Sequence, residues 1–393
     1  MNLDIKTRIF FIVFLVFIIA SLVLGLATGI SSLPNYRDEQ CYIGCGVAYV
    51  SNFTPPILCN FEHPPFAKYV IGFSYVFGFS RVLFLLLYAF SSIFLFLIVY
   101  RLSNDLVLSL FSSSFLFFDT LFFNTYRFLL LDPIAVFLSL ASLYLAFSAC
   151  FKSSAILAGL ALASKLSSVP TILVSLYIVF RRGGFKKALG FIAIAGLAYL
   201  ATYIADFGLG LSTVFEHHIR MLSYMGWRHG FSPVLAVIGF LKLLTKVEVW
   251  RFGGDISTVL TQIDSFWSIY NISTTIPITS NYIVVGIGMG STLWYLFTPM
   301  LLYNSYRAMV SRDLEAKIAS LWAWLSLLNI VAGPIDWYYA NALPALYTST
   351  SIALLKISKN RFKKISSILI SIQITLSIAT AMGIMPYRVE LYR

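Results

Sequence analysis

The sequence predicts an all-α polytopic membrane protein with about eleven transmembrane helices. Of its 393 residues, 59% are hydrophobic and only 11% are charged, and the mean hydropathy is +0.85. A soluble surface needs roughly 25% charged residues, so a water-soluble domain of this size is excluded. Apolar runs of about 20 residues recur along the chain, and their continuous rather than alternating character argues against an outer-membrane barrel.

The net charge of +12 would suggest a nucleic-acid partner in a soluble protein. In a chain this apolar, basic residues instead hold cytoplasmic loops in place, so we expect membrane lipids and no nucleic acid as partners. We place the helices by the length of the apolar runs and orient them by the excess of Lys and Arg in cytoplasmic loops. Lys6 and Arg8 precede the first run, and no small-x-small cleavage site follows it directly, so we interpret it as a retained helix.

The first half of the chain is predicted to contain four spans, one large outer loop with a short interfacial helix, and one tight outer turn. The spans are residues 9–30, 81–100, 105–123 and 128–149; the loop with its helix is 31–80, the interfacial helix 68–79, and the turn 124–127.

The apolar stretch 153–180 could be a single helix, but that would put a basic cluster at 181–187 on the outer side. Two short helices, 153–165 and 167–180, return the cluster to the inside, in agreement with the positive-inside bias. Serines around Lys165 and the following Pro170 make a break plausible there. We therefore predict a helix break at Lys165.

The second half is predicted to contain five more spans and a second large outer loop, 206–281, with amphipathic helices on the membrane surface. The spans are residues 187–205, 282–303, 318–333, 337–355 and 365–385. The N-terminus is then inside and the C-terminus outside, in one domain, 1–393. The sequons at Asn52 and Asn271 both fall in loops assigned to the outside.

The outer loops carry most of the candidate catalytic groups. Asp38 and Glu39 follow the first helix, where a carboxylate at the boundary between water and lipid can act as general base on a hydroxyl. His63, before two rigid prolines, could bind a phosphate, a metal or an acceptor, or only cap the next helix. Lys68 could contact a lipid-linked phosphate or snorkel to the headgroups.

Ionisable residues at membrane depth form the second group of candidates, because burying them is costly. Arg127 lies at the outer end of a hairpin, and its planar guanidinium suits a phosphate. Asp132, five residues later, could orient Arg127 or form a structural ion pair with it. Lys165 could meet the same phosphate, and Asp119 is a further buried acid of unknown role.

Other residues in the loops leave several alternatives open. Cys41, Cys45 and Cys59 permit one disulfide if the first loop faces an oxidising space. A divalent metal is possible, but adjacent histidines on a helix point apart, so we assign no metal ligands. The residues considered for it are Glu216, His217, His218 and His229. Tyr338 and Tyr339, together with His63 and Asp132, are predicted to line the substrate pocket.

The order of these motifs resembles the protein O-mannosyltransferases and related GT-C membrane glycosyltransferases. The resemblance is clearest over residues 36–170. It consists of an Asp-Glu pair, a His-Pro-Pro-x-x-Lys motif, an Arg-x-x-x-Leu-Asp hairpin, a Gly-x-Ala-x-x-Ser-Lys helix break and a late Tyr-Tyr-x-x-x-x-Pro helix. The matching residues are Asp38-Glu39, 63–68, 127–132, 159–165 and 338–344.

The resemblance implies a GT-C fold and an inverting transfer, usually of mannose, from a dolichyl or other polyprenyl phosphate. In that family the loop aspartate is the base and the hairpin arginine helps to bind the lipid phosphate. These roles fall on Asp38, supported by Glu39, and on Arg127. The family's fold, with its N-terminus inside and C-terminus outside, agrees with the topology obtained from charge bias.

Three departures concern the acceptor more than the donor. Ala67 and Tyr126 replace a family glycine and serine, and the large soluble insert of the eukaryotic enzymes is absent from the second loop. The compact form suits a prokaryotic, including an archaeal, cell membrane. Protein Ser/Thr is the expected acceptor. The alternatives are a glycan or lipid acceptor, a secondary transporter, and a non-catalytic assembly subunit.

Overall fold

The computed structural model describes residues 5–27, 37–229, 247–252, 282–288, 291, 293–311, 313–332, 339–381 and 388–392. Its body is helical, as predicted. The helices of the first half begin with α1 Ile5–Ala27, α2 Arg37–Ser51, α3 Phe66–Val76 and α4 Ser80–Ser103. They continue with α5 Leu106–Phe117, α6 Thr120–Arg127, α7 Leu131–Phe147, α8 Phe151–Leu162 and α9 Val169–Ala201.

The breaks between these helices follow the polar residues. Asp119 lies between α5 and α6 and caps the N-terminus of α6, and the axes of the two helices differ in direction by 56°. The predicted tight turn at 124–127 is wrong, because these residues form the last turn of α6. The predicted break at Lys165 is confirmed: α8 ends at Leu162, and a 3₁₀ turn, Leu166–Ser168, leads into α9.

The basic cluster also marks a break. Gly184 has φ +76° inside α9, a left-handed conformation that interrupts the helix. This is the position at which the charge bias predicted an inner loop between the spans 167–180 and 187–205. The structure therefore agrees with two helices on either side of the basic residues.

The second half continues with α10 Ile204–Phe207, α11 Leu211–His229, α12 Trp294–Val310, α13 Leu314–Ala332, α14 Leu343–Ile357 and α15 Phe362–Ala381. A small antiparallel sheet joins β1 Val247–Phe252, β2 Tyr282–Gly288 and β3 Arg388–Tyr392 in that order. The prediction of a helix from residue 282 is wrong: 282–288 pair as a strand on both edges, and the following helix begins at Trp294.

Length and hydropathy identify three described helices as able to cross a membrane: Ser80–Ser103, Leu166–Ala201 and Phe362–Ala379. The bent pair α5 and α6 would be a fourth. Further apolar helices, α7, α8 and α14 among them, are shorter. The chain is thus an integral membrane protein, while the count of about eleven spans stays a prediction.

The first predicted loop is itself mostly helical, and two glycines set how its helices cross. A Cβ on Gly46 would lie 2.2 Å from the Lys68 carbonyl oxygen, and a Cβ on Gly72 would lie 2.0 Å from the Gly46 carbonyl carbon. Backbone therefore meets backbone where α2 crosses α3. A disulfide between Cys45 and Cys59 adds a covalent link from α2 to the segment before α3.

The crossing gives a matched pair of substitutions on one helix. Gly46→Ala is expected to push α2 from α3, because no flexible side chain can yield, and to lower the melting temperature by several degrees. Gly44 lies two residues away on the exposed side with nothing within 4 Å of its Cβ. Gly44→Ala should leave stability unchanged or raise it slightly. Thermal unfolding in detergent compares the two; equal melting temperatures would contradict the close crossing.

Candidate functional site

The first turn of α2 is fastened to the junction between α6 and α7. Glu39 is fully buried, and its Oε1 accepts a hydrogen bond from the Leu129 N–H at 2.8 Å. The same oxygen pairs with Arg81 Nη1 at 2.5 Å. Arg81 Nη1 also donates to the Arg127 carbonyl at 2.7 Å. These bonds hold three elements, α2, α4 and the junction, at one point.

Arg127 is therefore close to the start of α2. Its guanidinium is buried, donates to Asn124 Oδ1 at 3.1 Å and lies over the Phe123 ring at 5.9 Å. Asp38 directly precedes Glu39 and is half-buried. The structure thus brings the predicted base and the predicted phosphate-binding arginine to the same junction, and Glu39 serves as the anchor between them.

Arg81 was not among the sequence candidates, although its position at the predicted outer end of a span, against the positive-inside bias, was a usable signal. Arg81→Gln should destabilise the fold by on the order of 3 kcal/mol, because it removes the ion pair between Arg81 and the buried Glu39 carboxylate. Arg101, exposed in the last turn of the same helix, provides the control. In thermal unfolding, Arg101→Gln should match the wild type; an equal loss in both variants would contradict the anchor.

The start of α3 meets the helix break at Lys165. The Phe66 N–H donates to the Ala163 carbonyl at 2.8 Å, and Lys165 is buried two residues further. Lys165 Nζ pairs with Asp132 Oδ2 at 2.7 Å, and Asp132 Oδ1 accepts from Asn341 at 2.8 Å. Asp132 was expected to orient Arg127; in the structure its two oxygens are engaged by Lys165 and Asn341 instead.

The remaining predicted residues fall in two places. The His63 ring lies edge-on to Tyr42 at 6.1 Å, one helical turn after Asp38. Tyr339 is buried against Trp294, with ring centroids 4.9 Å apart. Tyr338 lies outside the described residues. Lys68 is completely buried, and its Nζ donates hydrogen bonds to the backbone carbonyls of Asn60 and His63.

The second loop contributes a buried pair beside the disulfide-linked segment. Asp206 Oδ2 bonds His217 Nδ1 at 2.6 Å, and its other oxygen accepts from the Ile57 N–H at 3.0 Å. His218 Nε2 meets Tyr199 Oη at 3.0 Å. Burial raises the pKa of Tyr69, close to Asp206, to about 12. His217 and His218 thus serve to fasten α11.

Among the described residues, no group of three or more His, Cys, Asp or Glu side chains could hold a metal ion. The His229 side chain lies outside the described residues. Asp119 has a structural account, since it caps α6 through the Phe122 N–H at 2.9 Å and accepts from Tyr347 Oη at 2.5 Å.

Neither the protein-family models nor the curated proteins give a match to this chain. Among solved structures, the chain is similar to the Archaeoglobus fulgidus oligosaccharyltransferase in complex with Zn and sulfate, with a TM-score of 0.54, 14% identity and coverage of 91% of this chain and 53% of that one. The apo form of that enzyme gives 0.53, 13%, 95% and 54%. The chain therefore spans about half the neighbour's length, and the likeness shows a GT-C-like fold.

Proposed function

We propose that the chain is a GT-C glycosyltransferase that moves a sugar from a polyprenyl phosphate to a hydroxyl acceptor on the extracytoplasmic side. The observation that carries this proposal is the docking of α2 through Glu39 onto Leu129, because it joins Asp38 and Arg127 at one junction. The fold supports it, since the structural neighbour is an oligosaccharyltransferase. Within this class we propose dolichyl-phosphate mannose as donor and protein Ser/Thr as acceptor, on the motif resemblance.

In the proposed reaction, Asp38 takes the proton of the acceptor hydroxyl as its oxygen forms a bond to the anomeric carbon. The bond from that carbon to the phosphate oxygen breaks, and one displacement inverts the configuration. Negative charge grows on the leaving phosphate, where Arg127 stabilises it. Lys165 is the second residue proposed to bind the donor phosphate. Its pairing with Asp132, however, leaves the two side chains without net charge. Arg127 therefore carries most of this role.

The positions of the other side chains support a pocket around this junction. His63 with Tyr42 lies one turn beyond Asp38, and Tyr339 with Trp294 lies near the Asn341 that bonds Asp132. These aromatic rings offer flat apolar faces of the kind that pack against sugars or a lipid chain.

The test is incubation of the purified chain with labelled polyprenyl-phosphate sugars and a Ser/Thr peptide. Transfer of mannose to the peptide, inhibited by free polyprenyl phosphate, is expected. Transfer to a lipid or glycan would retain the enzyme class and change the acceptor. Transfer only from an oligosaccharide donor would favour an activity like that of the structural neighbour. Solute uptake by proteoliposomes without any transfer would overturn the proposal in favour of a transporter.

A further inference from the structure

Three hydrogen-bond acceptors surround Nζ of Lys68. Its Nζ donates to the Asn60 carbonyl at 2.5 Å, to Asn60 Oδ1 at 3.2 Å and to the His63 carbonyl at 2.8 Å. The side chain is 0% exposed. Nζ thus joins three acceptors of one chain segment at a single buried point.

These acceptors belong to the segment 59–65, which we call the strap. Its first residue, Cys59, is linked by the disulfide to Cys45 of α2. Directly after the strap, the Phe66 N–H is fixed on the helix break at Ala163. Lys68 holds the middle, where Asn60 has the left-handed φ of +53° that asparagine tolerates. The strap is thus held at both ends and at its centre.

We propose that Lys68 is a positioning residue for the transfer reaction proposed above, on which this inference rests: the hydrogen bonds of its buried terminal amino group fix the strap, so that His63 stays against Tyr42, one helical turn from Asp38 on α2. This role differs from the phosphate contact that the motif suggested. A fully buried amino group whose hydrogen bonds are made to the strap reaches a lipid phosphate only if the strap opens.

Polar and negatively charged groups surround Lys68. The three acceptors of its hydrogen bonds to the strap are carbonyl and amide oxygens, and none of these three is a carboxylate. Burial lowers the pKa of Lys68 to about 7, against smaller raising effects of nearby charges. The groups facing it are Cys41 and Tyr49 of α2, Glu62 and the His63 carbonyl of the strap, and Asp206 of α10.

This environment gives the strap a defined pH dependence. In the closed strap the pKa of Lys68 is about 7, whereas a solvated lysine has its ordinary value of 10.5. Between these values the open state binds more protons, so raising the pH favours the closed strap, by up to about tenfold per pH unit. Below pH 7 Lys68 is protonated in both states, and the balance is constant.

Hydrogen exchange of the full-length protein in nanodiscs tests this directly. In peptides covering 57–63, protection corrected for intrinsic exchange should stay level below pH 7 and rise between pH 7 and 9. Lys68→Met should remove the rise and lower protection, whereas Lys152→Met, the same change at an exposed position on α8, should match the wild type. A wild-type profile that is flat or falls between pH 7 and 9 would overturn the proposal.

Kinetics separate positioning from phosphate binding. Lys68→Met should lower kcat about tenfold and change the donor KM less than twofold. A donor KM raised tenfold at unchanged kcat would establish the phosphate contact instead. If Lys68→Met does not fold, Asn60→Gly is the second variant, because it keeps the left-handed φ and removes one acceptor of Lys68. It should shift the rise in protection to lower pH. A rise at unchanged pH would count against the hydrogen bonds of Lys68 as the hold on the strap. A chain without transfer activity would defeat the proposed function, while the exchange profile would still decide the role of Lys68.

Discussion

Asp38→Asn should abolish sugar transfer, with a loss of about 10²- to 10⁴-fold in kcat, because an amide cannot take the proton of the acceptor hydroxyl. The fold should persist, since the hydrogen bonds that dock the start of α2 are made by the neighbouring Glu39. The measurement is the initial rate of transfer from a labelled polyprenyl-phosphate sugar, with thermal unfolding of the same sample. The melting temperature should stay within about 2 °C of the wild type, which corresponds to a change below about 1 kcal/mol in the free energy of unfolding.

Glu216→Gln is the control for this substitution, because it makes the same carboxylate-to-amide change at an exposed residue of α11. It should retain full activity. Glu39→Gln makes a second comparison: it should lower the melting temperature, since it breaks the pair with Arg81. Asp38→Asn that retains more than a tenth of wild-type activity would remove the base assignment, even if Glu39→Gln were inactive.

The positions of most helices could be predicted from local properties of the sequence. The span 81–100 is a long apolar run, and the observed α4 is Ser80–Ser103. The break at Lys165 follows from serines, a proline and the sign of the next charges, all within about 20 residues. The 282–288 strand was missed because its partners, 247–252 and 388–392, are far away in sequence. A short apolar run is compatible with a helix or a strand until its neighbours are known.

The partners of the site residues could not be predicted for the same reason. Asp132 was paired with the nearest cation, Arg127, but its partners are 33 and 209 residues away. Glu39 was predicted to support Asp38 in catalysis, whereas in the structure it accepts a hydrogen bond from Leu129, 90 residues away. Residue type indicated which groups are costly to bury. Only the packing of α2, α4 and α7 shows which of them neutralise one another and which surround the junction.

Removing either member of the buried pair Asp132 and Lys165 should cost about 3–5 kcal/mol of stability, because the other charge is left in the protein interior. Their side chains are 2% and 6% exposed. The double variant Asp132→Asn with Lys165→Met should recover much of that loss, since it leaves neither charge and keeps an amide oxygen for Asn341. The measurement is a double-mutant cycle by thermal or denaturant unfolding in detergent.

Glu216 and Arg220 form the control pair, because they make the same kind of contact at about half exposure. Their coupling should be less than about 0.5 kcal/mol. If the Asp132 and Lys165 cycle shows equally little coupling, the buried pair does not contribute as the geometry indicates. If the double variant folds, its donor KM, compared with that of Asp132→Asn, then tests Lys165. An unchanged donor KM would assign Lys165 to the fold, whereas a donor KM raised tenfold or more would place its ammonium at the lipid phosphate as well.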